Sequence, residues 1–181
     1  MTLEEKTMQQ NRPRLQIIRG LPGSGKTTLA LKRYPHLMRL ETDMFFNRQG
    51  AYRFTLLNNA LAVEWFFKEI RLLCDSRMDF VTTGVFAAHT ESLEKTISIA
   101  WTRGYDIYIK TLTSQYKGIH GVPKEHLDAM KESFLPDKEL KRMYKGDPLV
   151  HFGLMPSKYP LEHLAKIAHL TKNKKKNKAS R

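Results

Sequence analysis

Cysteine is nearly absent from this sequence, and long apolar runs are missing altogether. The single cysteine, Cys74, excludes an internal disulfide framework, and its apolar, helix-spaced surroundings favour a buried structural thiol over a nucleophile. No stretch approaches the roughly 18 consecutive apolar residues of a membrane-spanning helix. Residues 1–14 are polar and include Glu4 and Glu5. We therefore expect neither a membrane span nor a signal peptide, and the cytoplasm is the expected compartment.

Acidic residues are scarce relative to basic ones. The chain has 18 Asp and Glu against 31 Lys and Arg, which gives a formal net charge of +13. Residues 172–181 contain only basic and uncharged side chains, and the rest of the chain is basic as well. Such a surplus predicts polyanionic partners, nucleic acid above all. For residues 172–181 alone, a solvated tail that increases solubility is the alternative.

The length of 181 residues predicts one domain that is large enough to bury a core. Composition and proline placement divide the chain into three parts. Residues 1–13 are expected to be a disordered leader, and residues 171–181 a basic tail. The folded domain is expected over residues 14–170, with a core over 14–134 and an extension over 135–170.

Apolar patterning predicts strands that alternate with helices. Strands are expected at residues 14–19, 36–41, 79–83 and 105–112, with a possible last strand at 149–152. Helices are expected at residues 25–33 and 55–75, after Thr90, after Pro123 and at 161–170. This alternation predicts βαβ units, and hence a parallel sheet covered by helices on both faces in three αβα layers.

Residues 20–27 match the phosphate-loop pattern G-x-x-x-x-G-K-[ST] at every fixed position. They lie between a predicted strand and a predicted helix. In that context several backbone N–H groups point at one phosphate. Lys26 is expected to reach the β- and γ-phosphates, and the Thr27 hydroxyl to bind Mg²⁺. A glycine-rich turn that fits the pattern by chance is the alternative. The predicted ATP-binding residues are Gly20, Leu21, Pro22, Gly23, Ser24, Gly25, Lys26, Thr27 and Thr28.

Phosphoryl transfer also needs a carboxylate that takes the acceptor proton. Asp43 follows the second predicted strand, at the sheet edge where ligands of doubly wound folds bind. We expect Asp43 to be a general base, with a turn-capping role as the alternative. Arg48 and Arg53 are candidates for gripping acceptor phosphates, although solvated surface arginines are common.

Further blocks give the sequence a family resemblance. Besides the phosphate loop they are Glu41-Thr42-Asp43 with Phe45-Phe46, Gly50-Ala51-Tyr52 and Ile119-His120-Gly121-Val122. Over about residues 14–134 the chain resembles P-loop kinases of the polynucleotide-kinase type, whose relatives include the zeta toxins. The resemblance implies an α/β P-loop NTPase fold, with Asp43 as the base that activates the acceptor hydroxyl. It also implies a lid over ATP at residues 113–122.

The chain departs from this family at two places. Relatives usually carry an aspartate at the end of the third strand, where this sequence has Thr82-Thr83-Gly84-Val85-Phe86. Their lid usually supplies an arginine, where this sequence has Gln115-Tyr116-Lys117. Lys117 is a candidate lid cation, and a solvated lysine is the alternative.

Three functions follow from these residues. The first is a Mg-ATP-dependent kinase that phosphorylates a hydroxyl, such as the 5′-hydroxyl, of a nucleic acid or nucleotide. The second is a small-molecule kinase, which the basic composition disfavours. The third is an ATP-binding module of impaired catalytic competence that binds nucleic acid or a protein partner, and the two departures favour it.

Overall fold

The strands that the structure describes belong to one sheet. The computed structural model describes residues 12–47, 56–86, 91–114 and 124–156. The strands are β1 (Arg14–Gly20), β2 (Met38–Leu40), β3 (Phe80–Gly84), β4 (Asp106–Leu112) and β5 (Val150–Phe152). All neighbouring strands pair in parallel, in the order β2-β3-β1-β4-β5. The predicted parallel sheet is confirmed, including its last strand.

Helices connect the strands. They are α1 (Lys26–Arg33), α2 (Leu56–Asp75), α3 (Glu91–Trp101), α4 (Lys124–Glu132) and α5 (Asp137–Met143), with a 3₁₀ turn at Thr42–Met44. The sequence analysis predicted no helix at α5, which follows a proline, Pro136. Pro136 precedes the first turn of α5, where a missing N–H costs nothing.

The central strand β1 has both faces buried. Leu15 and Ile17 pack on one face of the sheet, in a core built with α2, α3 and α5. Ile18 packs on the opposite face, against Ala30 of α1 and against Tyr34, which follows α1. Successive residues of a strand point to opposite faces, so this split puts helices on both sides of the sheet. The three-layer αβα arrangement is therefore confirmed.

A buried glutamine fixes β1 to its surroundings. The Gln16 amide donates hydrogen bonds to the backbone oxygens of Ile17 (3.1 Å) and Tyr108 (3.0 Å). Its Oε1 accepts from the Tyr34 hydroxyl at 2.8 Å and from the Met155 N–H at 2.6 Å. Because its polar atoms are paired, this buried amide stabilises the strand that leads into the phosphate loop.

Cys74 is buried within α2, and burial raises the pKa of its thiol to about 12. The expected structural role of this cysteine agrees with that environment. No helix among the described residues is both long enough and apolar enough to cross a membrane. Most of the predicted leader, the helix predicted at 161–170 and the basic tail lie outside the described residues.

Candidate active site

The phosphate loop connects the end of β1 to the start of α1. A Cβ added to Gly20 would lie 2.6 Å from the backbone oxygen of Leu112 and 2.6 Å from Ser24 Oγ. Gly25, just before α1, has the left-handed conformation (φ 85°, ψ 17°). No side chain caps the first turn of α1, so its N–H groups can receive an anion. Both glycines are therefore required by the path of the loop.

Lys26 is the first residue of α1, and its side chain folds back across the loop. Its Nζ donates hydrogen bonds to the backbone oxygens of Gly20 and Leu21, each at 2.8 Å. Burial lowers the pKa of Lys26 to about 8, while Glu41 and, to a smaller extent, Asp43 act to raise it. Two carboxylates from beyond β2 thus act electrostatically on the loop lysine.

Thr27 contacts the first of these carboxylates. Its hydroxyl donates a hydrogen bond to Glu41 Oε1 at 3.1 Å, and Arg39 Nη1 donates to the same oxygen at 2.9 Å. The sequence analysis gave Glu41 no role. The position of Glu41 at the end of a predicted strand could have indicated a place in the site, because parallel strands bring their carboxyl ends to the same edge of the sheet as the phosphate loop.

Asp43 lies in the 3₁₀ turn that follows β2. The turn is closed by backbone hydrogen bonds, including one from the Phe46 N–H to the Asp43 carbonyl oxygen at 3.1 Å. Phe46 is buried, and the Phe45 ring lies 5.9 Å from the ring of Trp65 in α2. These aromatic contacts anchor the turn, while Asp43 itself is exposed on the side of Lys26.

A cavity of about 290 Å³ opens beside this turn. Its described lining is mainly apolar, with three hydroxyl groups and no charged side chain. The lining residues are Thr42, Val63, Phe66, Gly84, Val85, Phe86, Ser92, Met130 and Ser133. Thr42 directly precedes Asp43 in the 3₁₀ turn, so the turn that carries the candidate base forms part of the cavity wall.

The end of β3 offers hydroxyls where a carboxylate is usual in relatives. Thr82 and Thr83 are buried, and the Thr82 hydroxyl donates a hydrogen bond to the Leu40 carbonyl oxygen at 2.9 Å. Beyond them, a Cβ on Gly84 would lie 2.9 Å from the Phe86 ring. Thr82 is therefore used to fasten β2 to β3, and only uncharged residues occupy this strand end.

Arg19, at the end of β1, is a buried cation that the sequence analysis did not single out. It is fully buried, donates from Nη2 to the Leu135 carbonyl oxygen at 2.8 Å, and stacks 4.1 Å above the Phe134 ring. Burial lowers its pKa to about 10, against the opposing effect of Asp137. Within the described part of the chain, its Nε and Nη1 have no hydrogen-bond partner.

The side chains beside the phosphate loop offer oxygen atoms to a metal ion. Among the described residues, no group of three or more His, Cys, Asp or Glu side chains is placed to hold one. Thr27, Glu41 and Asp43 offer only oxygen atoms, which are the ligands that Mg²⁺ prefers.

The other predicted site residues lie outside the described part of the chain. These are the acceptor candidates Arg48 and Arg53 and the lid candidate Lys117. The structure describes Lys26, Thr27 and Asp43, which lie together at the carboxyl edge of the sheet. The roles of all six residues stay predictions.

No protein-family model matches the sequence. Several solved structures are similar in fold. A chain of the AvrRxo1-ORF1:ORF2 complex is 14% identical with a TM-score of 0.57, and the match covers 82% of this chain and 56% of that one. A chain of the Pnkp1/Rnl/Hen1 RNA repair complex is 17% identical with a TM-score of 0.48, over 90% of this chain and 46% of that one.

A gluconokinase from Sinorhizobium meliloti is 18% identical with a TM-score of 0.39, over 90% of this chain and 97% of that one. The chain spans about half the length of the RNA repair chain that it matches. At these identities the likeness concerns the fold alone. With its five parallel strands, flanking helices and the phosphate-loop sequence after β1, this chain has an αβα fold of the P-loop NTPase type.

Proposed function

We propose that the protein is a Mg²⁺- and ATP-dependent phosphotransferase that acts on a hydroxyl, the 5′-hydroxyl of a nucleic acid or nucleotide. The observation that carries the proposal is the meeting of Lys26, Thr27, Glu41 and Asp43 at one edge of the sheet. Phosphoryl transfer depends mainly on positioning and on charge stabilisation, and these residues supply the groups for both.

The loop residues and Thr28 would hold the triphosphate through backbone N–H groups. Lys26 would exchange the carbonyl oxygens of Gly20 and Leu21 for the β- and γ-phosphates, which are stronger acceptors for an ammonium group. Thr27 would hold Mg²⁺, and the ion would supply positive charge to the transferring phosphate. Asp43 would accept the proton of the attacking hydroxyl.

The cavity beside Thr42 is the proposed acceptor site. Its apolar walls suit an uncharged ring, and the hydroxyls of Ser92 and Ser133 can hydrogen-bond to a sugar or base. Arg48 and Arg53 are proposed to bind acceptor phosphates, and Lys117 to approach the transferring phosphate. A nucleic-acid partner would be held largely by phosphate contacts.

A transfer assay tests this function. The protein is incubated with Mg²⁺ and γ-labelled ATP, together with RNA or DNA oligonucleotides that carry either a 5′-hydroxyl or a 5′-phosphate. Label on the 5′-hydroxyl oligonucleotides alone supports the proposal, and the Lys26→Ala variant should lose that label. Label only on nucleosides, nucleotides or sugars in a parallel reaction would identify a small-molecule kinase instead.

One observation favours a second candidate function. The end of β3 has Thr82, Thr83 and Gly84 rather than a carboxylate, which suits an ATP-binding module of impaired catalytic competence. Such a module would use nucleotide to grip nucleic acid or a protein partner. Tight ATP binding without transfer to any acceptor in the same assay would support this function and overturn the first.

A further inference from the structure

Glu41 lies beside the predicted metal-binding hydroxyl. We propose that Glu41 is a positioning residue for the metal: its carboxylate orients the Thr27 hydroxyl and faces the water shell of the bound Mg²⁺. This inference rests on the proposed function, because it concerns the metal that accompanies ATP. It adds a residue and a role to that function.

The hydrogen bond between Thr27 and Glu41 fixes the direction of the hydroxyl proton. A threonine hydroxyl has one proton and two lone pairs. Thr27 Oγ1 donates its proton to Glu41 Oε1 at 3.1 Å, so its lone pairs point away from the carboxylate. A metal ion binds to a lone pair. The contact therefore prepares Thr27 to bind a cation without a rotation of its hydroxyl.

The Glu41 carboxylate is itself held in place. Arg39 Nη1 donates to Oε1 at 2.9 Å, and the Glu41 side chain is only 15% exposed. The Glu41 backbone continues the extended conformation of β2 (φ −137°, ψ 143°), and Thr82 fastens the preceding residue, Leu40, to β3. Because the Glu41 side chain is already held in place, it can orient the Thr27 hydroxyl at a small cost in conformational entropy.

The Glu41 carboxylate can accept more hydrogen bonds than its ion pair with Arg39 uses. Both described hydrogen bonds go to Oε1, and Oε2 accepts none from another described residue. The carboxylate therefore contacts Thr27 of the phosphate loop as well as Arg39 of β2.

The two carboxylates then have separate roles. Asp43, exposed on the turn next to the cavity, is the proposed base. Glu41, largely buried against Thr27, is the proposed orienting group and the acceptor for metal-bound water. Because only uncharged residues occupy the end of β3, the carboxylate beside the Thr27 hydroxyl comes from Glu41, directly after β2.

Manganese binding measures this role without reference to catalysis. Mn²⁺ replaces Mg²⁺, and its affinity is measured by electron paramagnetic resonance in the presence of a saturating, non-hydrolysable ATP analogue. Outer-shell partners of a metal ligand typically contribute about 10- to 100-fold to metal affinity. We expect Glu41→Gln to weaken Mn²⁺ binding by that factor, and metal-free binding of the analogue to change far less.

Three variants serve as controls. Glu64→Gln, at an exposed position of α2, removes the same charge elsewhere and should leave Mn²⁺ affinity unchanged. Arg39→Met removes the ion pair but leaves the Thr27 contact, so most metal affinity should remain. Combining Glu41→Gln with Thr27→Val should weaken Mn²⁺ binding by less than the product of the two single effects, because part of the action of Glu41 passes through Thr27.

Two results would overturn the inference. If Glu41→Gln, with an unchanged thermal midpoint, binds Mn²⁺ like the wild type while Thr27→Val does not, Glu41 plays no part at the metal. If Glu64→Gln weakens Mn²⁺ binding as much as Glu41→Gln does, the loss reflects the change in total charge and Glu41 has no special role at the metal. A wild-type protein that binds no ATP analogue at all would refute the proposed function along with this inference.

Discussion

Lys26 is subject to two opposing influences. Burial favours its neutral amine, whereas the carboxylates of Glu41 and Asp43 favour the ammonium, and the balance leaves a pKa of about 8. The folded protein therefore holds this proton less tightly than the unfolded chain, whose lysine has an ordinary pKa of 10.5. From this group alone, the free energy of unfolding should rise between about pH 8 and pH 10.5 and stay flat below pH 8.

The same pKa predicts how ATP affinity depends on pH. Binding of the phosphates requires the ammonium form, so affinity should fall above about pH 8, by up to about tenfold per pH unit. Calorimetry in buffers of different ionisation enthalpy should also record proton uptake when ATP binds. Lys26→Arg, which stays charged, should show a much flatter profile if it still binds ATP. An equally steep fall in that variant would show that another group titrates.

Asp43 allows a separation of binding from chemistry. Asp43→Asn should bind Mg-ATP like the wild type and lose phosphoryl transfer by about 100- to 10,000-fold, because an amide cannot take the acceptor proton. The two properties are measured by calorimetry and by the transfer assay. Asp75→Asn, an exposed carboxylate at the far end of α2, is the matched control. If Asp43→Asn transferred phosphate as fast as the wild type, Asp43 would not be the base and would only cap the turn.

At the scale of elements, the phosphate loop depends on close backbone packing. Gly20→Ala would bring a Cβ to within 2.6 Å of the Leu112 carbonyl oxygen, and overpacking of this kind costs about 1–3 kcal/mol. We expect denaturant unfolding to show that loss and calorimetry to show lost ATP binding.

Gly104→Ala is the control for Gly20→Ala. Gly104 also has a positive φ, of 69°, yet a Cβ there meets nothing within 4 Å. This variant should lose some stability through backbone strain alone and keep its ATP affinity. If Gly20→Ala bound ATP as well as Gly104→Ala does, the close packing at Gly20 would be irrelevant to the site.

Local patterns predicted most elements, because strands and helices of this fold have distinct apolar periods. β2 is shorter than expected, at Met38–Leu40, since it is an edge strand whose first residue is exposed. The order of the strands in the sheet, and the residues that Glu41 and Arg19 contact, depend on which strands become neighbours. Local sequence patterns do not determine this, because it is a property of the tertiary structure. The phosphate loop was predictable because its geometry lies within eight consecutive residues.

At the scale of the whole molecule, charge is distributed unevenly. Most of the surplus behind the net charge of +13 falls outside the described residues, chiefly within residues 157–181. The sheet and its helices are closer to neutral, and several of their basic side chains, such as Arg14 and Arg103, form ion pairs with aspartates. Any general attraction to polyanions should therefore depend strongly on the C-terminal residues.

Salt dependence tests that expectation. Binding of single-stranded oligonucleotides should weaken with salt, with a log–log slope of about −0.7 for each phosphate neutralised. Removing residues 172–181 should flatten the slope and leave weaker, measurable binding, with little sequence preference. The measurement is a salt titration of fluorescence anisotropy on both chains. Binding that ignores salt, or no binding at low salt, would remove nucleic acid as a partner and favour a small acceptor.

The central claim is that the loop between β1 and α1 binds the phosphates of ATP. Calorimetric titration of Mg-ATP into the wild type, Lys26→Ala and Lys32→Ala tests it most directly, because Lys32 is an exposed lysine of the same helix. We predict that the wild type and Lys32→Ala bind alike, and that Lys26→Ala loses most of its affinity with an unchanged thermal midpoint. Undiminished binding of Mg-ATP by Lys26→Ala would contradict the account.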